Sequence, residues 1–432
     1  MIVTTRPRPG QQTPNGATLD LDFARRRGSI LGVPVQPDQF VTEQRSTSAL
    51  VRGAGGVYAT VQSYMPRFER TYDGRPNGLR IDPADINTIL YSCDFTQSAW
   101  VKGTGASQVV SSDYGPDNTT PSSLLTDSQS IGSSPASWSQ TLAINNDSNN
   151  HQFDIFIKPG TITKFGLTMI FSGGTGITAW AQFDLALGVV WNNSSNCNAF
   201  LAQEANGYIR CAIACSNNST GNTSLALGVQ RMLNTTPPGN FYVWGAHHQG
   251  SYGFMTPSLS GASSGSRNAD NPAILMAGAP WYNNLGGSFF VDVYIDGGTT
   301  DNWIMALRNV SYDKLYLARA NSSSAISFSS IVGGATQMSL SCGNAVGQGA
   351  RYRAAFRYAN SNFAIAIKVD NYSYTSSQDA GIVLATSGAI LSTPVYLDLG
   401  SLGGAAPMQG TISRLTYFPE LLSNQDLADL IA

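Results

Sequence analysis

The sequence is poor in charged residues, which make up 12% of its 432 positions, against roughly a quarter in an average globular protein. Glu occurs four times and Lys five times, so the side chains that usually cover the solvent face of a helix are scarce. This scarcity excludes a mainly amphipathic helical fold. Ser, Thr, Asn, Gly, Tyr and Phe are abundant instead, which is typical of strands joined by turns. We therefore expect an all-β protein.

Long apolar runs are also missing, and no leader segment is predicted. No stretch approaches the length of about 18 apolar residues that a membrane-spanning helix needs, so no membrane insertion is predicted. The first ten residues, MIVTTRPRPG, lack the apolar core of a secretory signal. We therefore expect the protein to be synthesised and folded in a cytoplasm.

Cysteine is rare and its count is odd. No pair has CxxC spacing, and no His or further Cys lies near Cys211 and Cys215 to complete a zinc site. We predict free thiols in a reducing compartment and no disulfide, metal or other cofactor. The cysteines are Cys93, Cys197, Cys211, Cys215 and Cys342.

The net charge is small but unevenly distributed. At −2 it provides no overall field for nucleic acid, so no nucleic-acid partner is expected. Residues 1–90 hold 11 Arg and no Lys against 8 acidic residues, a net charge of +3. An Arg-rich segment suits bidentate contacts with carboxylates. Ordinary local ion pairs are the alternative.

The pattern of strands and turns divides the chain into three segments. Residues 1–90 are predicted to form an irregular arm, broken by prolines over residues 1–40, and a small β subdomain. Residues 91–260 contain eight candidate strands between short turns, which suits a jelly roll. Residues 261–432 repeat this pattern. The predicted fold is two tandem antiparallel β-sandwiches of jelly-roll type after an irregular N-terminal arm.

A few local elements stand out within this plan. Residues 18–23, TLDLDF, alternate apolar and polar side chains as a strand does. Residues 258–272 are rich in Ser and Gly and are predicted to link the sandwiches. Residues 423–431 predict a helix capped by Ser423. Three tryptophans in strand motifs are predicted to be core residues, namely Trp100, Trp138 and Trp244.

Five segments carry a family resemblance. They are residues 86–95 (INTILYSCDF) with Trp100 and Lys102, residues 241–246 (FYVWGA) with Gln249 and Gly250, residues 65–68 (MPRF), residues 78–81 (GLRI), and residues 410–419 (GTISRLTYFP) with Leu422, Ser423 and Leu427. The first four resemble the opening, closing strand and lead-in of jelly-roll modules in tailed-phage virion proteins. The last is similar to the end of concanavalin-like (laminin-G-like) sandwiches in the same proteins. Cys93 and His247-His248 depart from the family pattern.

The resemblance implies a non-enzymatic structural protein on the virion surface of a tailed phage, as a capsid decoration, cement protein or head fibre. It implies synthesis in the host cytoplasm, attachment to other virion proteins through the arm, and a homo-oligomer, with a trimer favoured by analogy. Family modules often bind carbohydrate, so a cell-surface or environmental glycan is a further implied partner. The alternative is a tail fibre or tailspike, with or without polysaccharide depolymerase activity. The sequence lacks the short stacked repeats of a tailspike β-helix.

No segment of the sequence predicts a catalytic or metal site. Residues 261–265, GASSG, match a nucleophile-elbow pattern, but they lie in the polar linker and all three histidines precede them. The scattered carboxylates offer no local glycosidase pair, although pairs formed across subunits remain open. Asp296, Asp301 and Asn302 lack the spacing of an EF-hand calcium loop. His247 and His248 are adjacent on a strand and should point to opposite faces.

Aromatic residues beside Asn-rich loops are the candidate ligand-binding residues. Sugars stack their apolar faces on aromatic rings, while neighbouring polar side chains bind the hydroxyl groups. Trp180 and Trp191 flank a strand, and Trp191 leads into residues 192–196, NNSSN. Trp281 and Tyr282 precede two further asparagines. The alternative for each ring is that it covers the end of a sandwich as part of the core.

Overall fold

The computed structural model describes residues 16–232, 236–250, 253–297, 301–311, 313–320, 325–342, 349–371, 378–391 and 393–432. The described residues are mainly β-strands, with one short α-helix near the C-terminal end. The predicted all-β fold class is confirmed. Within these ranges, no helix is long and apolar enough to cross a membrane.

The strands are numbered in chain order. Up to residue 90 they are β1 (Leu19–Asp22), β2 (Arg27–Ile30), β3 (Val33–Val35), β4 (Val41–Glu43), β5 (Ala49–Arg52), β6 (Tyr58–Val61), β7 (Arg67–Arg70), β8 (Pro76–Ile81) and β9 (Asp85–Asn87). Up to residue 249 they are β10 (Val101–Lys102), β11 (Ala106–Tyr114), β12 (Pro121–Asp127), β13 (Ser137–Ala143), β14 (Asn150–Pro159), β15 (Lys164–Ser172), β16 (Ile177–Asp184), β17 (Val189–Asn193), β18 (Asn198–Gln203), β19 (Ile209–Ser216), β20 (Ser224–Arg231) and β21 (Gly239–Gln249).

The remaining elements follow residue 260. They are β22 (Gly265–Arg267), β23 (Pro272–Leu275), β24 (Gly286–Gly297), β25 (Asn302–Arg308), β26 (Lys314–Arg319), β27 (Ile326–Val332), β28 (Ala335–Cys342), β29 (Ala350–Ala359), β30 (Asn362–Asn371), β31 (Gln378–Ala385), β32 (Tyr396–Leu399), β33 (Gln409–Phe418) and the helix α1 (Asn424–Ile431). Short 3₁₀ turns occur at Pro37–Gln39, Ala54–Gly56 and Ala205–Gly207.

The first sandwich packs two antiparallel sheets of six strands each. The front sheet has the strand order β10-β13-β20-β15-β16-β17, and the back sheet has the order β11-β12-β21-β14-β19-β18. Alternate apolar side chains fill the space between them, so Phe165, Leu167 and Met169 of β15 all point into one core. Trp100 and Trp138 lie in this core, while Trp244 is buried on the other side of the back sheet. All three are buried, as predicted.

The second sandwich packs a larger sheet against a smaller one. The larger sheet has the order β3-β2-β1-β33-β24-β29-β30-β31, with the β7-β8 hairpin also paired to β33. The smaller sheet has the order β28-β27-β26-β25-β32-β23-β4. An apolar core that includes Phe289, Leu317 and Phe356 lies between them.

The N-terminal segment belongs to the second sandwich, where the sequence had predicted an arm. The strand β1 pairs with β33, with Leu21 opposite Leu415, and β4 pairs with β23. Leu19, Leu21 and Phe23 are buried in the core because β1 alternates apolar and acidic residues. Prolines are accommodated in the short strand β3 at the end of the sheet and in a 3₁₀ turn. Residues 1–15 of the predicted arm lie outside the described residues.

Residues 258–272, which the sequence predicted to be a linker, are also packed against the rest of the protein. Their strand β22 pairs with β9, and Arg267 and Asp270 are buried. The predicted C-terminal helix is confirmed, with Ser423 and Asp426 forming a capping box. Leu427 of this helix packs against the outer side of the larger sheet.

Arginines of the N-terminal segment are buried between the two sandwiches. Arg67 is fully buried, and its guanidinium donates to Asp82 at 2.7 Å, to Thr256 at 2.6 Å and also to Asp270. Arg45 donates to the same Asp270 at 2.9 Å. We call the group formed by Arg45, Arg67, Arg80, Asp82 and Asp270 the junction. The contacts with Asp270 join residues more than 200 positions apart, whereas Arg80 with Asp82, and Arg25 with Asp22, are local ion pairs.

Further ion pairs extend from the junction to the back sheet. Arg52 donates to both oxygens of Glu204, at 2.7 and 3.1 Å. Arg210 on β19 donates to Asp154 on β14 at 2.6 Å. Breaking a buried pair by removing one partner is costly because the other charge is left without compensation. The junction therefore fixes how the sandwiches sit against each other.

Candidate functional site

The outer side of the front sheet is a surface of small and polar residues. Because Phe165 and Leu167 face the core, their neighbours Gly166 and Thr168 face outward. A Cβ at Gly228 would lie 2.6 Å from the hydroxyl of Thr168, so a larger residue there would displace the Thr168 side chain. We call this surface the front face; it consists of Lys164, Gly166, Thr168, Trp180, Gln182, Asp184, Trp191, Gly228 and Gln230.

Trp191 lies at the edge of the front face and is 53% exposed. It is the extra residue of a β-bulge, since Gln182 pairs with Asn192 but Phe183 pairs with Val190. Bulges commonly re-aim a side chain beside a site. The Lys164 ammonium lies 4.7 Å from the centre of the Trp191 ring, and a cation–π contact of this kind holds one face of the indole.

The rest of the front face surrounds this ring with polar groups. Lys164 also pairs with Asp184 at 3.2 Å. Trp180 lies on the neighbouring strand β16 and is half-buried, and its backbone N–H donates to Ser194 in the Asn-rich turn. The structure thus places Trp180 and Trp191 on neighbouring strands of the front sheet. Asn193 of that turn donates to the Cys197 carbonyl at 2.6 Å and so holds the turn itself.

Trp281 and Tyr282 lie elsewhere, in the second sandwich. Trp281 is 4% exposed, belongs to the core and meets Tyr417 edge to face at 5.5 Å. Tyr282 is half-buried and stacks on Tyr358. Trp281 is therefore a core residue and not a ligand-binding residue, because its buried ring has no exposed face on which a sugar could stack.

All three histidines lie on strands of the back sheet, His151 on β14 and the other two on β21. His247 is fully buried, with Asp85 at 2.8 Å from its Nε2 and Asp154 at 3.3 Å from its Nδ1. His248 faces the other way, with its Nε2 at 3.0 Å from Nδ1 of His151. The adjacent pair therefore points to opposite faces, as predicted. Across the described ranges, no group of three or more His, Cys, Asp or Glu side chains is arranged to hold a metal ion.

The pKa values of the two adjacent histidines, His247 and His248, are shifted in opposite directions. Burial alone would lower the pKa of His247, but Asp85 and Asp154 outweigh it and raise that pKa to about 9. Burial, with the charges of His151 and His247, lowers the pKa of His248 to about 3. His247 is therefore a cation at neutral pH, and His248 is neutral.

Protein stability should fall as the pH rises from about 6.5 to beyond 9. The raised pKa of His247 means that its ion pairs contribute fully below the unfolded value of 6.5 and are lost as it deprotonates near 9. The loss is on the order of 3 kcal/mol of unfolding free energy. Denaturant titrations across this range measure it. His247→Gln should flatten the pH dependence, whereas His248→Gln should leave it unchanged; an equal slope in all three proteins would contradict the assignment.

A cleft of about 1250 Å³ lies between the two sandwiches. Its walls are the outer side of the larger sheet, the N-terminal segment and part of the back sheet. Carboxylates along it are paired with arginines, as in Asp292 with Arg351 and Asp370 with Arg353. Burial raises the pKa of Asp296 in this cleft to about 6, and Arg80 pairs with it.

Comparison with known proteins gives partial structural likenesses. No protein-family model matches the chain, and no curated protein matches its sequence. The CBM40 module of Ruminococcus gnavus IT-sialidase, solved with α2,3-sialyllactose, is 14% identical over 33% of this chain and 80% of the module, with a TM-score of 0.27. Domains LG4-5 of the mouse laminin α1 chain are 10% identical over 63% of this chain and 83% of theirs (TM-score 0.24).

A phage protein is among the similar structures. The tail fibre protein gp63.1 from a phage of E. coli is 11% identical over 78% of this chain and 41% of that protein, with a TM-score of 0.23. Any function of this chain therefore rests on its own residues.

Sequence reasoning missed several residues of the front face. Lys164, Gln182 and Gln230 carry no motif, and they join Trp191 because each alternates with a core residue on its own strand. The alternation of core and outward residues was the signal in the sequence that could have identified them. The order of the strands could not be predicted, because β20 and β15 are neighbours in space but about 60 residues apart in the chain.

Proposed function

We propose that this protein is a non-enzymatic glycan-binding protein and that the front face is its binding surface. The observation that carries the proposal is the half-exposed Trp191 ring, which Lys164 holds at the edge of an open polar sheet face. An aromatic ring with one supported face gives a sugar an apolar platform. Gln182 and Gln230 provide amide donors and acceptors for the hydroxyl groups.

Replacing Trp191 with alanine should weaken glycan binding by roughly 1–3 kcal/mol, by analogy with other aromatic stacking. The melting temperature should change little, because substitutions at exposed positions usually cost less than about 0.5 kcal/mol. A glycan array followed by titration of the best ligand measures the first quantity, and thermal melts measure the second.

Trp303→Ala is the matched control for this experiment. Trp303 also lies beside a lysine, with the Lys314 ammonium 5.2 Å from its ring centre, but it belongs to the second sandwich. Binding that survives Trp191→Ala, or that falls equally in both variants, would refute the role of Trp191. A large fall in melting temperature for Trp191→Ala would show that its ring is structural.

We place the protein on the outside of a tailed-phage particle, as a capsid decoration, cement protein or head fibre. The motifs shared with phage jelly-roll modules support this role, as does the pair of sandwiches. A homo-oligomer, by analogy a trimer, and contacts with other virion proteins are part of the same proposal. Attachment is proposed through the N-terminal arm, residues 1–40, of which residues 1–15 lie outside the described residues. Imaging of labelled protein on particles would separate a head position from a tail-fibre position.

A polysaccharide depolymerase is the second candidate function. The property that favours it is the raised pKa of Asp296 in a cleft large enough for a polysaccharide, since a glycosidase needs a protonated carboxylic acid. Against it, Arg80 pairs with Asp296 and also lies 3.6 Å from Glu69, so the nearby carboxylates share an arginine. A reducing-sugar assay on host polysaccharide separates a binding protein from an enzyme.

A further inference from the structure

The cleft between the sandwiches has one end formed by arginines. Arg25 and Arg27 lie at the turn between β1 and β2, Arg75 lies just before β8, and Arg414 lies on β33. The two segments meet at Ser413, whose carbonyl accepts from the Ala24 N–H and whose hydroxyl donates to the carbonyl of Asn77 on β8. We call these four arginines the basic end of the cleft.

At the basic end the guanidinium groups are outermost and the carboxylates lie beneath them. The side chains of Arg25 and Arg27 are 47% and 50% exposed, whereas that of their shared partner Asp22 is 9% exposed. Arg414 is likewise more exposed than its partner Asp20. A molecule that enters here therefore meets positive charge first, although each arginine is paired.

Two of these arginines keep donor groups for a ligand. Among the described residues, Arg27 approaches Asp22 through Nε at 3.6 Å, and Arg75 approaches Asp73 through Nε at 2.6 Å. Neither guanidinium donates a hydrogen bond through its terminal nitrogens to another described residue. A guanidinium with free terminal N–H groups binds a carboxylate in the bidentate geometry that arginine favours.

The rest of the cleft has a different character. Asp296 and Asp370 are more exposed there than their arginine partners. Thr71, Asn77 and Tyr294 also line the cleft, with side chains that can bind hydroxyl groups. The volume of about 1250 Å³ exceeds the roughly 300–1,000 Å³ of ordinary small-molecule pockets, so an oligomer fits better than a single sugar.

We propose that this cleft binds a stretch of acidic polysaccharide, with sugar carboxylates at Arg27 and Arg75 and hydroxyl groups at the uncharged polar side chains of its wall. The net charge of −2 gives the protein no general attraction for a nucleic acid, so the local arrangement of donors favours a carboxylated sugar. The cleft borders the back sheet, on the opposite side of the first sandwich from Trp191. The two sites are therefore independent.

Isothermal titration with an oligogalacturonate tests the proposal on the full chain. The methyl-esterified form of the same oligomer is the matched ligand, because it keeps the sugar shape and loses the charge. The wild-type protein should bind the acid form at least tenfold more tightly, and added salt should weaken that binding. The double variant Arg27→Gln/Arg75→Gln should lose at least tenfold in affinity for the acid form.

Arg26→Gln is the matched control variant. Arg26 lies between Arg25 and Arg27, is similarly exposed and pairs with Asp38, but it does not line the cleft. It should bind the oligogalacturonate as the wild type does. Equal affinity for the esterified oligomer, or equal loss in Arg26→Gln, would overturn the proposal. Tighter binding of a sulfated oligosaccharide or a single-stranded oligonucleotide of the same length would overturn the ligand assignment.

Discussion

Replacing Arg67 with methionine should lower the free energy of unfolding by about 3–5 kcal/mol. Methionine fills part of the space of the arginine stem, but it removes one of the buried cations that Asp82 and Asp270 share. It also removes the donor to Thr256. A loss of this size is a large share of the roughly 5–15 kcal/mol that stabilises a typical domain. Denaturant unfolding followed by tryptophan fluorescence measures it.

The control for this experiment is Arg70→Met on the same strand. Arg70 is half-buried and donates to the carbonyl of Gly74, so its loss should cost less than about 1 kcal/mol. If Arg67→Met were as stable as Arg70→Met, the junction would not hold the sandwiches together. Arg67→Lys should be intermediate, because an ammonium keeps the charge and loses the fork that contacts both aspartates.

Replacing Leu21 with alanine should cost about 2–5 kcal/mol of unfolding free energy. Leu21 is fully buried in the second sandwich, opposite Leu415 on β33, and a smaller side chain leaves a cavity in a core that the first and last strands share. The melting temperature of the second sandwich should fall accordingly. Differential scanning calorimetry on the full chain measures the change.

Leu31→Ala is the matched substitution in the same segment. Leu31 is 51% exposed, so its loss should stay within about 0.5 kcal/mol. A separate N-terminal arm would tolerate both substitutions equally, whereas a segment that completes the sandwich distinguishes them. Equal and small effects at Leu21 and Leu31 would contradict the placement of β1 in the core.

Several elements were predictable because their signals are local. The alternation of residues 18–23 predicted the strand β1, and the sequence SNQD after Leu422 predicted the capped helix α1. The scarcity of Glu and Lys excluded a helical fold. The Arg-rich composition of residues 1–90 predicted bidentate contacts with carboxylates, and Arg52 with Glu204 is one such contact.

The partners of these elements were not predictable in the same way. Trp191 and Trp281 both stand beside asparagines in the sequence, yet one is half-exposed and the other is buried. The difference comes from what packs against each ring, a sheet edge for Trp191 and Tyr417 for Trp281. Local sequence carries no information about such a neighbour, which lies far along the chain.

The sequence by itself determined the class of the fold, the position of β1, the helix and the burial of three tryptophans, because periodicity and capping act over a few residues. Only the tertiary structure decided that the N-terminal segment completes the second sandwich and that the supposed linker lies in the core of the junction. Arg67 and Asp270 are 203 positions apart. Their pairing depends on how two finished sandwiches meet, and residue spacing along the chain does not encode that contact.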